Sequence, residues 1–450
     1  MKQYDFSYKT LEDIRERLKD LTICLPLSEE TDILFKPLML NKRLLQNRIG
    51  IAPMEGFDAC PDGTPSELTR RRYLRYARGG AALIWFESVT IVPEGRSSPR
   101  QLVLTKETLP QFQRFVEEIK ETGLKENGYA PFLVMQANHS GRYSHPNPQT
   151  PQPIAAFHNP VIEGDRPLDS SCIASDDYLA SLEDKFGESA KLCRKAGFDG
   201  IDIKSCHGYL LGELAGAFNR PGIYGGNFEN RFRLLFNSLR HAQCVQSDSF
   251  MITVRLNIFD GFPYPYGYGV VRDGSLNTDY SEPLEAVRIL HRELGVSFIN
   301  ITMGDPHIRP YITRPFLRDD KFLQMEDPLA GLARMYNGSA VIKRNFPELV
   351  VSASAPSYLH QFAPNLAAGA IQAGACDQVC FGRLAFANPC FPRDIKESGF
   401  LEPEKACIAC SKCSSLGRGG MPAGCIVRDA EVYLPYYKSL MDKNKQRKQT

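Results

Sequence analysis

Eight short apolar runs, separated by longer amphipathic stretches, constrain this 450-residue chain more than any other feature. The runs cover 48–52, 81–86, 132–136, 200–204, 250–256, 298–302, 349–352 and 378–381. Between them, helical periodicity marks 66–77, 109–121, 176–196, 229–246, 283–294 and 328–345. Gly79, Gly197 and Gly374 stand where helices need a residue that tolerates positive φ. Strands that are apolar throughout are covered on both faces, which implies a parallel sheet flanked by helices. Eight such units predict an α/β fold closed as a (β/α)8 TIM barrel, with its site at the C-terminal ends of the strands. A helix over 11–21 precedes the first run. The expected organisation is a helical arm over 1–35, a barrel over 36–400 and a cysteine-bearing segment and tail over 401–450.

Charge and composition exclude several classes. A net charge of +2 gives no electrostatic case for nucleic acid or a membrane surface. No apolar run approaches the roughly 18 residues of a membrane span. The start, MKQYDFSYKTLEDIRERLKD, is charged and lacks the apolar core of a signal peptide. Thirteen cysteines in a chain of this length suit a reducing compartment better than a disulfide scaffold, so a cytoplasmic setting is expected. The Lys-rich tail over 443–448 reads as a solvated end. No G-x-G-x-x-G follows any strand, so a dinucleotide-binding Rossmann unit is not expected.

The strand ends collect polar residues. Gly382-Arg383 follows the eighth run, where a glycine admits a phosphate and an arginine pairs with it. Ser354, after the seventh, would sit beside the same phosphate. The alternative is a surface arginine after a turn. Gln136 and Arg255 can read a flavin ring, the amide by its donor and acceptor and the cation by holding a reduced, anionic ring. Lys204 and His207 can donate to a carbonyl or carboxylate oxygen and draw density from a conjugated alkene. Tyr209 can give a proton. Cys206 reads as a packed thiol, and His139-Ser140-Gly141-Arg142 as a loop-ordering turn. The loop FDGFPYPYGYG, 259–269, is placed near the pocket mouth, either as a clamp for a flat apolar substrate or as a lid without ligand contact.

Near the end, Cys407, Cys410, Cys413 and Cys425 form C-x2-C-x2-C-x11-C. The first three repeat a ferredoxin-type spacing. Iron–sulfur is the favoured reading; a zinc ion on four thiolates, or no metal, are the alternatives.

Several stretches together resemble the Old Yellow Enzyme family of FMN-dependent NADH:flavin oxidoreductases and ene-reductases. They are Asn47-Arg48 through Pro53-Met54, Phe86-Glu87-Ser88, Gln136-Ala-Asn-His139-Ser-Gly-Arg142, His207-Gly208-Tyr209, Tyr224-Gly225-Gly226 with Glu229-Asn230-Arg231, and Gly382-Arg383 with Asn388-Pro389. The cysteines place the chain closest to the branch similar to 2,4-dienoyl-CoA reductase and trimethylamine dehydrogenase. The resemblance implies FMN and a 4Fe–4S cluster on the four cysteines. It implies that Pro53, Met54 and Glu55 line the flavin, that Ser88, Gln136 and Arg255 hold its ring, and that Ser354, Gly382 and Arg383 hold its phosphate. Tyr209 matches the proton donor and His207 the second member of the substrate-gripping pair. Lys204 stands where the family has the first member, a His, and Glu55 where relatives often have Cys or Thr. The nucleotide-binding domains that follow in multidomain relatives are not expected here.

The expected activity is reduction of an activated C=C bond in a small unsaturated substrate (enone, enoate or enoyl thioester), by hydride from flavin N5 with Tyr209 as proton donor. NAD(P)H, a ferredoxin or a flavoprotein would supply electrons from outside. A homo-oligomer is compatible with the sequence. The rivals are an amine dehydrogenase with outward electron flow and a flavin subunit that only relays electrons.

Overall fold

A computed structural model of the chain describes residues 4–447. The first three residues of the charged start and Lys448 of the tail lie outside them. The eight expected strands form a closed parallel barrel: β1 (Ile49–Ile51), β2 (Leu83–Thr90), β3 (Phe132–Asn138), β4 (Gly200–Ile203), β5 (Met251–Asn257), β6 (Phe298–Thr302), β7 (Val350–Ala353) and β8 (Gln378–Phe381). Neighbours in sequence are neighbours in the sheet. Closure comes through β1, which pairs with β8 by Val379 against Ile49 and with β2 by Gly50 against Leu83. Gly50 has no room for a side chain: a Cβ there would lie 2.6 Å from Cys380 Sγ. The barrel interior is filled by packed side chains, including the fully buried Trp85 and Phe298.

Local signals account for the helices. Ser66, Ser175, Asn227 and Asp327 each accept a backbone N–H as N-caps of Glu67–Gly79, Asp176–Lys195, Phe228–Ala242 and Pro328–Asn345. Gly197 and Gly374 take positive φ as expected. The first of the three stops falls one residue later than read from the sequence. Gly79 remains helical, and its missing side chain leaves room for the Pro389 carbonyl, while Gly80, at φ +86°, ends the helix. The helix from Leu109 runs on to Asn127 and stops at Gly128, φ +79°. Strands β2 and β3 also outrun their apolar cores, to Thr90 and Asn138. Between Phe86 and Ser88 the β2–β3 register shifts, so Glu87 is the extra residue of a bulge and Ser88 comes opposite Gln136.

The arm helix, Leu11–Asp20, is closed by a capping box between Thr10 and Asp13. The cysteine segment is held against the barrel at three places. Ala423 N–H donates to the Gly56 carbonyl at 2.8 Å, Leu317 N–H donates to the Ala409 carbonyl at 3.2 Å, and Asp429 pairs with Arg71 and Arg75 at 2.7 and 2.5 Å. Among the described residues no helix is long and apolar enough to cross a membrane.

Candidate active site

The loops after the strands enclose a cavity of about 220 Å³. Its wall includes Pro53, Met54, Glu55, Ser88, Lys204, His207, Tyr209, Arg255, Ser354, Gly382 and Arg383. The structure thus brings together every residue singled out for the flavin and the chemistry except Gln136. That side chain lies behind the wall, in a chain of buried polar groups. Lys204 Nζ donates to Ser88 Oγ at 3.0 Å, Ser88 Oγ to Gln136 Oε1 at 2.8 Å, and Gln136 Nε2 to Asp202 at 2.7 Å. Asp202 also accepts from Trp85 Nε1 and from the Arg255 backbone N–H. Burial pushes its carboxyl up to about 6.

The β4 loop aims the reactive side chains. His207 and Gly208 take φ of +65° and +69°, and Tyr209 then caps the helix Leu210–Ala215. Position 208 must be glycine, because a Cβ would collide with the Asp305 carboxylate. Burial pushes the Tyr209 phenol well above its ordinary range and His207 well below it, so the tyrosine keeps its proton and the imidazole is neutral. The Lys204 ammonium lies 3.8 Å from the Tyr209 ring centroid. Burial brings it down to about 8, with Cys206 and Glu55 opposing that shift. Glu55, whose Oε1 accepts from Ser97 Oγ, is raised to about 7, by burial first; Lys204 opposes the rise and Glu87 adds to it. The two departures from the family pattern therefore face one cavity and partly offset each other's charge.

Sequence reasoning missed other parts of this wall. His307 lines it, stacked on Tyr143 at 3.8 Å and 5.5 Å from the Tyr209 ring. Tyr143 in turn donates to Asp305 at 2.5 Å. Arg314 and Arg418 also line it, both paired with the fully buried Asp319. Only the position after a strand could have flagged His307; Arg314 sits in a segment without any motif, and Arg418 lies within the C-x2-C-x2-C-x11-C run at one of its unspecified positions. The loop 259–269 contributes nothing to this cavity. Its Phe259, Phe262 and Tyr268 pack into the core and Tyr266 lines a separate hollow, because apolar rings bury more surface inward than at a wet mouth. His139 orders its loop as expected: Nε2 is 2.8 Å from Tyr178 Oη, and Nδ1 accepts from Gly141 N–H.

The wall fits a flavin mononucleotide. Arg383 Nη1, Arg255 Nε and Thr313 Oγ1 are buried without a hydrogen-bond partner among the described residues, three polar atoms that a ligand in this cavity can satisfy. A Cβ at 382 would lie 2.9 Å from Met54 Sδ, so Gly382 keeps the backbone there open. Arg383 Nη2 is tied to the Pro315 carbonyl at 2.8 Å, which orients the guanidinium.

Cys407, Cys410, Cys413 and Cys425 all line one adjoining small cavity, and Cys413, Arg383 and Phe386 line both cavities. Ala409 and Ser411, at φ +48° and +57°, turn the backbone between the cysteines. Among the described residues no three His, Cys, Asp or Glu side chains close in on a point as ligands of one metal ion do. Four thiolates on a single zinc would stand about 3.8 Å apart. A cubane instead gives each thiolate its own iron and spreads the sulfurs further.

Comparison with known proteins agrees with the fold. Residues 33–264 match the model of the NADH:flavin oxidoreductase / NADH oxidase family. An NADH oxidase of Thermoanaerobacter brockii is 26% identical over 385 residues, 84% of this chain and 52% of that protein. A cinnamate reductase of Clostridium sporogenes is 25% identical over 398 residues, 86% and 56%. The chain spans about half the length of these relatives. Among solved structures, a 2-naphthoyl-CoA reductase bound to 2-naphthoyl-CoA superposes with a TM-score of 0.70 at 19% identity, covering 88% of this chain and 57% of that one. Histamine dehydrogenase from Rhizobium sp. 4-9 superposes at 0.66 and 18%, covering 88% and 52%. At such identities the two structures share the fold.

Proposed function

The chain belongs to the NADH:flavin oxidoreductase / NADH oxidase family, and from that membership we propose an FMN-dependent reductase of activated C=C bonds that also carries a 4Fe–4S cluster. One observation carries the direction of the chemistry. The Lys204 ammonium rests on the face of Tyr209, beside His207, in the cavity wall. A cation there polarises a conjugated carbonyl, and it occupies the aromatic face that a cationic amine would seek. That favours an electron-poor alkene over an amine.

In this reading Arg383, with Arg314 beyond it, Ser354 and the open backbone at Gly382 hold the phosphate. Arg255, Ser88, Pro53 and Met54 hold the ring, with Gln136 acting through Ser88. Glu55 faces Lys204 from the β1 loop. Cys407, Cys410, Cys413 and Cys425 hold the cluster. FMN supplies the hydride when bound, and the cluster supplies single electrons. Lys204 and His207 hold the carbonyl oxygen and draw density from the alkene. Tyr209 gives its phenolic proton to the α-carbon, and the neighbouring ammonium stabilises the phenolate that remains. Phe57 and His307 in the wall, the latter backed by the stacked Tyr143, exclude water from a flat substrate. NAD(P)H, a ferredoxin or a flavoprotein supplies the electrons.

The cinnamate and naphthoyl-CoA reductases lend support by chemistry, since each name describes an aryl-conjugated acyl substrate. The amine dehydrogenase among the neighbours keeps the opposite direction in play. An anaerobic screen of enones, enoates and enoyl-CoAs with reduced viologen, against methylated amines with an acceptor dye, decides. Turnover of alkenes alone is the expected result; turnover of amines alone would reverse the proposed electron flow.

A further inference from the structure

The cavity carries an unusual charge balance. Its wall holds Lys204, Arg255, Arg314, Arg383 and Arg418 against a single carboxyl, Glu55. Arg314 and Arg418 are engaged by Asp319. Arg383, with an unpartnered Nη1, is committed to a phosphate in the reading above, and Arg255, with an unpartnered Nε, to the flavin ring. Lys204 is then the cation left for a substrate, and it lies on Tyr209 at the reactive end. Glu55 is the acid whose field reaches it within the cavity, held from behind by Ser97 Oγ.

We propose that Glu55 is a specificity-determining residue: ionised, it offsets the Lys204 charge and suits the cavity to neutral carbonyl acceptors, and protonated, it leaves Lys204 free to hold a carboxylate. This rests on the reading of the cavity as the substrate site and adds the charge class that it selects.

The surroundings support a switch at this position. Glu55 faces Lys204 and Glu87 as charged neighbours, with Ser97 as hydrogen-bond donor. Glu87 is already engaged by Arg72 at 2.6 Å and by Gly56 N–H at 2.8 Å, so it cannot serve as the counter-charge of Lys204. Lys204 faces Glu55, Asp202, Arg255, Cys206, Tyr209 and His307. Asp202 is spent on Gln136, Trp85 and the Arg255 backbone. Burial keeps the Cys206 thiol, at about 11, and the imidazoles of His207 and His307 uncharged near neutrality. Glu55, raised to about 7, is then the carboxyl in the cavity wall whose ionisation changes near neutral pH; Asp202, raised to about 6, lies outside that wall.

Benzoate and benzamide test this as flat, unreactive isosteres that differ by one charge. Calorimetric titration of the purified holoenzyme from pH 6 to 7.5, below the value of about 8 at which Lys204 loses its proton, is expected to show benzoate weakening by about fivefold as Glu55 ionises, with benzamide nearly flat. Glu55→Gln keeps an acceptor for Ser97 and removes the charge. In a Lys204→Arg background, where the cation keeps its charge, it should tighten benzoate at pH 7.5 at least about fivefold and leave benzamide unchanged. Lys204→Met should abolish the advantage of benzoate in either background. Benzoate and benzamide binding whose ratio ignores Glu55→Gln overturns this inference and leaves the proposed reductase standing. Binding of neither ligand by a flavin-loaded protein overturns the substrate-site reading and this inference with it.

Discussion

Lys204 Nζ sits 3.8 Å from the centroid of the Tyr209 ring while donating to Ser88 Oγ at 3.0 Å. One ammonium thus bridges the polar chain behind the cavity and the side chain best placed to move a proton. A cation on a phenol lowers the cost of the phenolate, so in the proposed reaction carbonyl polarisation and proton delivery would be coupled through one group.

Removal of the phenol separates proton delivery from flavin chemistry. Tyr209→Phe keeps the ring under Lys204 and should lower alkene turnover by about 10²- to 10⁴-fold. Reduction of the flavin should proceed at the wild-type rate. Stopped-flow measurement of the two half-reactions checks this; equal loss in both would mean that Tyr209 supports the cofactor and does not deliver the proton.

The pH dependence follows from Lys204. Its affinity for a proton is reduced by burial to about 8. The ammonium is present below that value and is lost as pH rises through it, so kcat/KM should fall above about pH 8. Lys204→Arg should carry the plateau past pH 9, since a guanidinium keeps its charge. An unchanged alkaline limb in Lys204→Met would assign it to another group.

Arg383 has one guanidinium nitrogen on the Pro315 carbonyl and another, Nη1, with no partner. Charged hydrogen bonds to phosphate contribute roughly 1.5–3 kcal/mol each. Arg383→Ala should therefore weaken FMN retention by at least about tenfold, measured by flavin fluorescence after dialysis. Riboflavin, which lacks the phosphate, should bind wild type and variant alike. A variant that discriminates against riboflavin as strongly as against FMN would place Arg383 away from the phosphate.

The barrel was legible because its signal is redundant: eight apolar runs, helix periodicity between them and capping residues agree with one another. Site residues were legible where they end a strand, as Lys204, Arg255 and Ser354 do, since the fold itself fixes that position. Gln136 shows the limit. The sequence places it at a strand end, but the bulge at Glu87 turns Ser88 toward it and buries it behind the wall. His307, Tyr143 and Arg314 could not be read, because irregular loops carry no period and their convergence depends on long-range packing. The placement of Glu55 and Lys204 in one cavity wall was equally hidden: each looked like a separate departure until the fold brought both there.

Cys413 lines both the candidate active-site cavity and the small cavity of the other three cysteines. Anaerobically purified protein should contain about four iron and four acid-labile sulfide per chain. Stoichiometric zinc without iron would refute the cluster. Cys413→Ser should lower iron content and the broad visible absorbance of the cluster. Because Arg383 and Phe386 also border both cavities, the same variant should perturb the bound flavin's spectrum. Cys425→Ser lies outside the shared wall, so it should lower iron content with a smaller flavin change. Identical flavin perturbation in the two variants would indicate that the spectra respond to loss of the whole segment, and that Cys413 has no special place between the centres.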